Sequence, residues 1–148
     1  MKEIVVHSLA ETAALGEKIG KLMFPGALLT LTGDLGAGKT TLTKSIGKAI
    51  GIKKVINSPT FTILKTYHGD MPFYHIDAYR LEGITQDLGF EEVFDADGVC
   101  VVEWPHFIEN QLPKERLEIE ILRSGEDERT FCFKAIGEKY EKIVKELV

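Results

Sequence analysis

The stretch "LTGDLGAGKTTLTKS", residues 31–45, joins an apolar run to an amphipathic segment through closely spaced glycines. The preceding run, "ALLTLTG", is almost continuously apolar, which is typical of a strand buried on both faces of a parallel sheet. After the glycines, Leu42, Ile46 and Ile50 keep helical spacing until Gly51, which favours a helix end. A strand, a glycine-rich loop and a helix in this order predict an α/β layered fold.

The glycine-rich stretch fits G-x-x-x-x-G-K-[ST] without a gap. Glycines let backbone N–H groups turn inward, and the amino end of the following helix adds partial positive charge. We therefore expect Lys39 to reach the terminal phosphates of a nucleotide and Thr40 to give its hydroxyl to Mg²⁺. The predicted phosphate-binding residues are Gly33, Asp34, Gly36, Ala37, Gly38, Lys39, Thr40 and Thr41.

Two residues of this set have open interpretations, and the whole motif has a structural alternative. Asp34 either orients a reacting group or stabilises the loop. Thr41 either meets the α-phosphate or caps the helix. For the motif as a whole, the alternative is a glycine-rich turn that matches by chance, which the flanking strand and helix patterns disfavour.

A phosphate loop needs a second anchor for its metal, usually an acidic residue at the end of a buried strand. Glu103 ends the apolar run "VCVVE" and is the preferred anchor, the alternative being an ordinary solvated carboxylate. Asp77 follows "FYHI" and is the second candidate, although it could instead pair with Arg80 or His75 for structural reasons.

The rest of the chain supplies further strands and helices. Ser8 and Glu11 form an S-x-x-E capping box that opens a helix. The segments "SPTFTILKTY" and "MPFYHIDAY" predict an antiparallel pair, and residues 116–136 predict a hairpin. The final amphipathic helix is interpreted as docked on the sheet rather than as a partner site. We therefore predict a single domain over residues 1–148, a P-loop NTPase-like three-layer α/β domain with a mixed, partly parallel central sheet.

Composition excludes several classes of protein. A net charge of −5 argues against a protein whose main affinity comes from neutralising nucleic-acid phosphates, and leaves open RNA contact through a partner or a local patch. No apolar run approaches the roughly 18 residues of a membrane span, and the polar opening "MKEIVVHSLAE" is unlike a secretory signal. Cys100 and Cys132 have no metal-ligand spacing and are interpreted as buried structural thiols. A cytoplasmic protein is expected.

Four segments, "GDLGAGKTT", "NSPTFT", "YHIDAYRL" and "VEWP", occur in this order and carry a family resemblance. Together they resemble the bacterial TsaE (YjeE) ATPases, a component of the machinery that makes the threonylcarbamoyl adenosine modification of tRNA. The resemblance runs from the first helix to about Pro113. Its phosphate loop is generic, whereas the three downstream segments are highly specific.

The resemblance implies roles for particular residues. Thr40 and Glu103 would hold Mg²⁺, and residues 36–41 would bind the phosphates of ATP. Ser58, Pro59, Thr60 and Phe61 would form a loop like switch I of GTPases. The catalytic surroundings would include Lys39, Asp77, Tyr79, Arg80, Glu103 and Trp104.

Three further points follow from the same resemblance. For Trp104, the only tryptophan, the family resemblance favours a functional role over a role in the core. Residues around Ser8 to Thr12 would approach the adenine. The family often has Gly-Arg in its C-terminal hairpin turn, where this chain has Gly125-Glu126, so Arg129 or Arg123 would have to substitute.

The function implied is an ATPase, slow alone, that works with TsaB and TsaD partners and through them with tRNA. It would support formation of the threonylcarbamoyl group on adenosine 37 of tRNAs reading ANN codons. The alternative is a small-molecule P-loop kinase, which usually carries an Arg-rich lid. Arg80 is the only arginine between the phosphate loop and Trp104. A GTPase is disfavoured by the missing N-K-x-D sequence.

Overall fold

The computed structural model describes residues 2–33, 38–54, 56, 64–78, 90–94 and 96–147. The described elements, in chain order, are β1 (Lys2–Val6), α1 (Leu9–Lys21), β2 (Leu28–Gly33), α2 (Lys39–Ala49), β3 (Leu64–His68), β4 (Pro72–Asp77), α3 (Phe90–Phe94), β5 (Val99–Glu103), a 3₁₀ helix (Pro105–Gln111), β6 (Arg116–Arg123), β7 (Arg129–Ile136) and α4 (Glu138–Leu147).

The described strands form one seven-stranded sheet in the order β1-β7-β6-β2-β5-β4-β3. The central strand β2 pairs in parallel with β5 and with β6, and β4 pairs in parallel with β5. The remaining pairs, β1 with β7, β6 with β7 and β3 with β4, are antiparallel. The predicted mixed, P-loop NTPase-like α/β sheet is thereby confirmed, including the hairpin and the antiparallel pair.

One face of the sheet is covered by α1, α2 and α4. Alternate residues of the strands meet apolar side chains of these helices in a large buried cluster, because successive side chains of a strand point to opposite faces. Its members include Leu29, Leu31, Phe73, Val99, Val101, Ile119 and Phe131 from the strands and Ile19, Leu42, Ile46 and Ile143 from the helices. The intervening strand residues Leu28, Ile76, Cys100 and Val102 form a second cluster on the other face with Phe90, Phe94 and Ile108.

Helices α1 and α2 run parallel and in close contact because α1 has glycines where α2 passes. A β-carbon added to Gly16 would lie 2.6 Å from the Cβ of Ser45, and one added to Gly20 would lie 2.5 Å from the Cβ of Ala49. Neither position tolerates a larger side chain without separating the helices. The two amino ends therefore lie at the same level, at the edge of the sheet where β2 ends.

The predicted C-terminal stripe is docked on the sheet. Tyr140, Ile143, Val144 and Leu147 are all buried. The backbone N–H of Leu28 donates a hydrogen bond to Tyr140 Oη at 2.9 Å, which fixes α4 at the start of β2. Burial raises the pKa of Tyr140, so the phenol stays protonated and neutral in its apolar setting. No described helix is long and apolar enough to cross a membrane.

Candidate nucleotide site

The carboxyl ends of three parallel strands meet at one edge of the sheet. Leu31 of β2 lies opposite Glu103 of β5, and Glu103 lies opposite Asp77 of β4. In open α/β sheets, ligands bind at this edge, outside the carboxyl ends of the strands. The two acidic residues that the sequence indicated as metal anchors are therefore register neighbours.

Glu103 is not a solvated strand-end carboxylate, because only 4% of its surface is exposed. Its Oε2 lies 2.6 Å from Nε2 of His75, which is itself 1% exposed. This contact fixes the orientation of the Glu103 carboxylate. The partner of His75 at this nitrogen is therefore Glu103, and the alternative pairing of Asp77 with Arg80 lies outside the described residues.

The sequence pattern does not predict the role of His75 as the partner of Glu103. It alternates with Phe73 and Asp77 on β4, so all three point to the face that α2 covers. A histidine at such an inward position, two residues before a strand-end acid, was the available signal. Among the described residues, no partner reaches the buried Nδ1 of His75.

The amino end of α2 has no side-chain cap. Gly38 occupies the N-cap position in the left-handed region, at φ 106°, where a glycine is accepted without steric cost. The first N–H groups of a helix have no partners within it, and here neither the cap side chain nor an acidic residue in the first turn is available to them. These amides and the positive end of the helix dipole form an anion-binding arrangement.

Lys39, in the first turn of α2, is 7% exposed. Its ammonium donates a hydrogen bond to the carbonyl of Gly33 at 2.9 Å and lies 4.5 Å from the ring centroid of Trp104. None of the ion pairs among the described residues involves Lys39. A buried cation without a carboxylate partner is costly unless another anion binds it, so this environment suits a negatively charged ligand.

Trp104 follows Glu103 directly and adopts a left-handed backbone, with φ 58° and ψ 51°. It is the only described non-glycine residue with a positive φ. Its ring stacks on Phe107 at a centroid distance of 6.3 Å and packs at the margin of the second apolar cluster. A bulky residue in this conformation carries strain, which is more common at functional sites than elsewhere.

The start of α1 lies beside the start of α2. A β-carbon on Gly38 would be 3.9 Å from Cγ2 of Thr12. Ser8 caps α1, accepting a hydrogen bond from the N–H of Glu11 at 3.1 Å, which confirms the predicted cap. The Glu11 carboxylate accepts in turn from the N–H of His7 at 2.7 Å. This proximity is compatible with the adenine-side role that the family resemblance implies for residues 8–12.

The remaining predicted site residues divide into two groups. Thr40 is exposed in the first turn of α2, and Thr41 behind it is half-buried. The others lie outside the described residues: Asp34, Gly36, Ala37, Ser58, Pro59, Thr60, Phe61, Tyr79 and Arg80.

The donor chemistry at this edge fits magnesium better than a softer metal. Within the described ranges, no group of three His, Cys, Asp or Glu side chains could hold a metal by itself. A hydroxyl and a single carboxylate are hard oxygen donors, and Mg²⁺ in nucleotide sites takes one or two such ligands together with phosphate oxygens and water. Thr40 and Glu103 could supply that pair.

Both arginines of the C-terminal hairpin donate hydrogen bonds to carbonyls of its turn. Arg129 Nη1 donates to the carbonyls of Gly125 and Glu128, at 3.3 and 2.9 Å. Arg123 Nε donates to Gly125 at 3.4 Å. Nucleotide contact by either arginine stays a prediction.

Both cysteines are buried and free, as predicted. Burial raises the pKa of the Cys100 thiol. It also raises the pKa of Cys132, where the nearby carboxylates of Glu3 and Glu120 add to the effect.

Comparison with known proteins identifies the family. Residues 6–131 match the model of the family described as threonylcarbamoyl adenosine biosynthesis protein TsaE. The chain is 52% identical over 138 residues to the tRNA threonylcarbamoyladenosine biosynthesis protein TsaE of Bacillus subtilis (strain 168), covering 93% of this chain and 87% of that protein. The protein of the same name from Treponema pallidum (strain Nichols) is 38% identical over 130 residues, 85% of this chain and 96% of that protein.

A solved structure agrees with these matches. The crystal structure of Bacillus subtilis YdiB superposes with a TM-score of 0.85 at 44% sequence identity, covering 99% of this chain and 93% of that one. The strand-end carboxylates, the uncapped amino end of α2 and these similarities lead to one assignment. The chain belongs to the TsaE family of threonylcarbamoyl adenosine biosynthesis proteins.

Proposed function

We propose that the protein is an ATPase that binds Mg-ATP at the edge of the sheet where β2, β4 and β5 end. The observation that carries this proposal is the buried ammonium of Lys39 at the uncapped amino end of α2. Lys39 and the first amides of α2 would bind the β- and γ-phosphates. A triphosphate would supply the anionic partner that Lys39 lacks among the described residues.

Thr40 and Glu103 would hold Mg²⁺, which neutralises charge that develops on the phosphates during hydrolysis. The contact with His75 would keep the Glu103 carboxylate aimed at this position, as hydrogen-bonded partners of metal ligands commonly do. Asp77, opposite Glu103, is proposed to belong to the catalytic surroundings, where it could orient the attacking water. Trp104 would hold the Lys39 ammonium against the phosphate-binding loop through its ring.

The cellular role proposed is support of threonylcarbamoyladenosine synthesis on adenosine 37 of tRNAs reading ANN codons. Family membership supports this role. TsaB and TsaD are the proposed partners, tRNA would be reached through them, and the cytoplasm is the expected compartment. Hydrolysis would be slow alone and would reset the partner assembly, since the presence or loss of a γ-phosphate commonly changes partner affinity.

Two measurements test the proposal. Calorimetry on the pure chain should detect ATP binding that depends on Mg²⁺, and absence of binding even with TsaB and TsaD present would refute the nucleotide site. ATP turnover and tRNA modification should then be followed with and without both partners. Stimulated turnover together with ATP-dependent modification supports the proposed role, whereas ATP consumption only against a small acceptor would indicate a kinase.

A further inference from the structure

A second charged feature lies along the carboxyl-terminal half of α2 and the residues that follow it. Between Leu35 and Gly69 the chain has six lysines and no aspartate or glutamate, although it contains 23 acidic residues in all. The chain as a whole has a net charge of −5, so its excess of negative charge lies entirely outside this segment. The protein is therefore electrically polarised along its sequence.

The fold gathers four of these lysines around one open hollow of about 570 Å³. This lysine hollow is lined by Lys44, Lys48, Gly51, Ile52, Lys53, Lys54 and Ile56. All four lysines are exposed, and none takes part in an ion pair among the described residues. The carboxylate of Asp70 lies beside Gly51, where an added β-carbon would be 2.9 Å from its Oδ1.

An ordinary solvated helix face does not account for this pattern. On α1, Lys21 pairs with Glu17 at 3.3 Å, and on α4 the exposed lysines alternate with glutamates. Interspersed charges of this kind stabilise a helix slightly, whereas like charges four residues apart destabilise it by about 0.2–0.5 kcal/mol. Lys48 is favourable near the carboxyl end of α2, but that benefit does not extend to Lys44, a full turn earlier.

We propose that the lysine hollow binds the phosphodiester backbone of RNA directly, in addition to the contact proposed through TsaB and TsaD, and that the RNA is the tRNA on which the proposed function acts. Lysines are flexible point charges suited to phosphates, and the described residues that line the hollow include no arginine or aromatic side chain to read or stack bases. Protein interfaces show the opposite composition, with aromatic residues and arginine enriched and lysine depleted. Backbone contact without sequence readout is thus the better fit than an acidic protein partner.

This contact is separate from ATP binding. Lys44 and Lys48 follow Lys39 by five and nine residues, about 7.5 and 13.5 Å along α2 at 1.5 Å per residue, and both are exposed whereas Lys39 is buried. Changes at Lys44 and Lys48 should therefore leave ATP turnover by the chain alone within about twofold of the original. Only the identity of the RNA as tRNA rests on the proposed function.

The test measures binding of an unmodified tRNA transcript to the full chain by fluorescence anisotropy at two salt concentrations. Four phosphate contacts predict a slope of log K against log salt of about −3, or roughly 60-fold weaker binding from about 50 mM to about 200 mM salt. The double variant Lys44→Glu/Lys48→Glu should bind at least about 10-fold more weakly at the lower salt, with roughly half that slope. Lys44→Arg/Lys48→Arg should bind like the original chain.

The matched control is Lys142→Glu/Lys145→Glu, which makes the same change in net charge on the exposed face of α4. It should change tRNA affinity by less than about twofold, since Lys142 and Lys145 lie outside the hollow. Equal losses in both variants would show a general charge effect and overturn the proposal. So would undetectable binding by the original chain at the lower salt.

Two rival occupants give distinct results. If Lys44→Glu/Lys48→Glu binds tRNA normally but loses stimulation by TsaB and TsaD, the hollow is a protein interface and the RNA proposal is wrong. If it binds tRNA normally but abolishes self-association in sedimentation, the occupant is a second copy. ATP turnover of each variant, measured alone, separates these failures from failure of the proposed nucleotide site.

Discussion

The amino ends of α1 and α2 lie side by side, but only that of α1 has a side-chain cap. On α1, the chain supplies its own acceptors: Ser8 accepts from the N–H of Glu11, and Glu11 accepts from that of His7. On α2, Gly38 offers no side chain, and the first turn carries Lys39 instead of an acid. The amino end of α1 thus has an acceptor within the protein. The first turn of α2 instead adds a positively charged side chain to the positive end of the helix dipole.

The difference shows where the chain has departed from what stability alone favours. A capped helix end contributes about 1 kcal/mol, and an acidic residue in the first turn adds to it. At α2 both contributions are missing, a cation is buried, and a tryptophan beside it has a left-handed backbone. Three such local costs at one place are typical of functional sites and support the proposed nucleotide site.

The largest effect is expected from Lys39→Ala, which removes the charge that distinguishes the end of α2. ATP hydrolysis should fall at least about 100-fold, because the ammonium would no longer face the terminal phosphates. Steady-state turnover checks this, with Lys44→Ala on the exposed face of the same helix as the control. Turnover within twofold of the original would reject the phosphate-loop assignment and remove the contrast between the two helices.

The next largest effect should distinguish the two strand-end carboxylates. Glu103→Ala should weaken Mg²⁺-dependent nucleotide binding by about 10- to 100-fold, and Asp77→Ala should weaken it less, because Glu103 is the buried and oriented acid. Calorimetric titration with and without Mg²⁺ gives the two affinities. The reverse order would move the metal anchor to Asp77.

His75 offers a sharper form of that experiment. His75→Asn removes the ring nitrogen that contacts Glu103 but leaves the acid in place. The Mg²⁺ concentration that gives half-maximal nucleotide binding should rise by about 10-fold while the fold is retained. An equal loss of nucleotide affinity with and without Mg²⁺ would instead give His75 a role in the fold alone.

Trp104→Ala should reduce turnover, alone or with partners, by about 10-fold and cost less than about 2 kcal/mol of unfolding free energy. The expected cost is below that of a fully buried tryptophan because Trp104 is half-buried. Trp104→Gly should be at least as stable as Trp104→Ala, since glycine accepts a φ of 58° without strain. Thermal unfolding and turnover of both variants check this, and a large loss of stability would identify Trp104 as core.

Features that depend on residues close together in the sequence could be predicted. Contacts that depend on the pairing register of strands far apart in the sequence could not. The strand that ends at Gly33, the helix that begins at Lys39, the Ser8 cap and the antiparallel hairpin each follow from a local pattern. The contact between His75 and Glu103 joins positions 28 apart and depends on the pairing of β4 with β5. The ring of Trp104 over Lys39 needs, in addition, a left-handed backbone that no local pattern indicates.

The smallest effect is expected at Ser8, which caps the amino end of α1. Ser8→Ala should lower the free energy of unfolding by about 1 kcal/mol and Ser8→Gly by a few tenths, the usual order for an N-cap. Chemical denaturation measures both, and turnover at saturating ATP should change less than about twofold, because Ser8 Oγ accepts from the chain's own Glu11. If stability is unchanged while the KM for ATP rises severalfold, the end of α1 also serves the ligand. The two helix ends would then differ in which part of the nucleotide they bind, and the amide of Glu11 would have to find another acceptor.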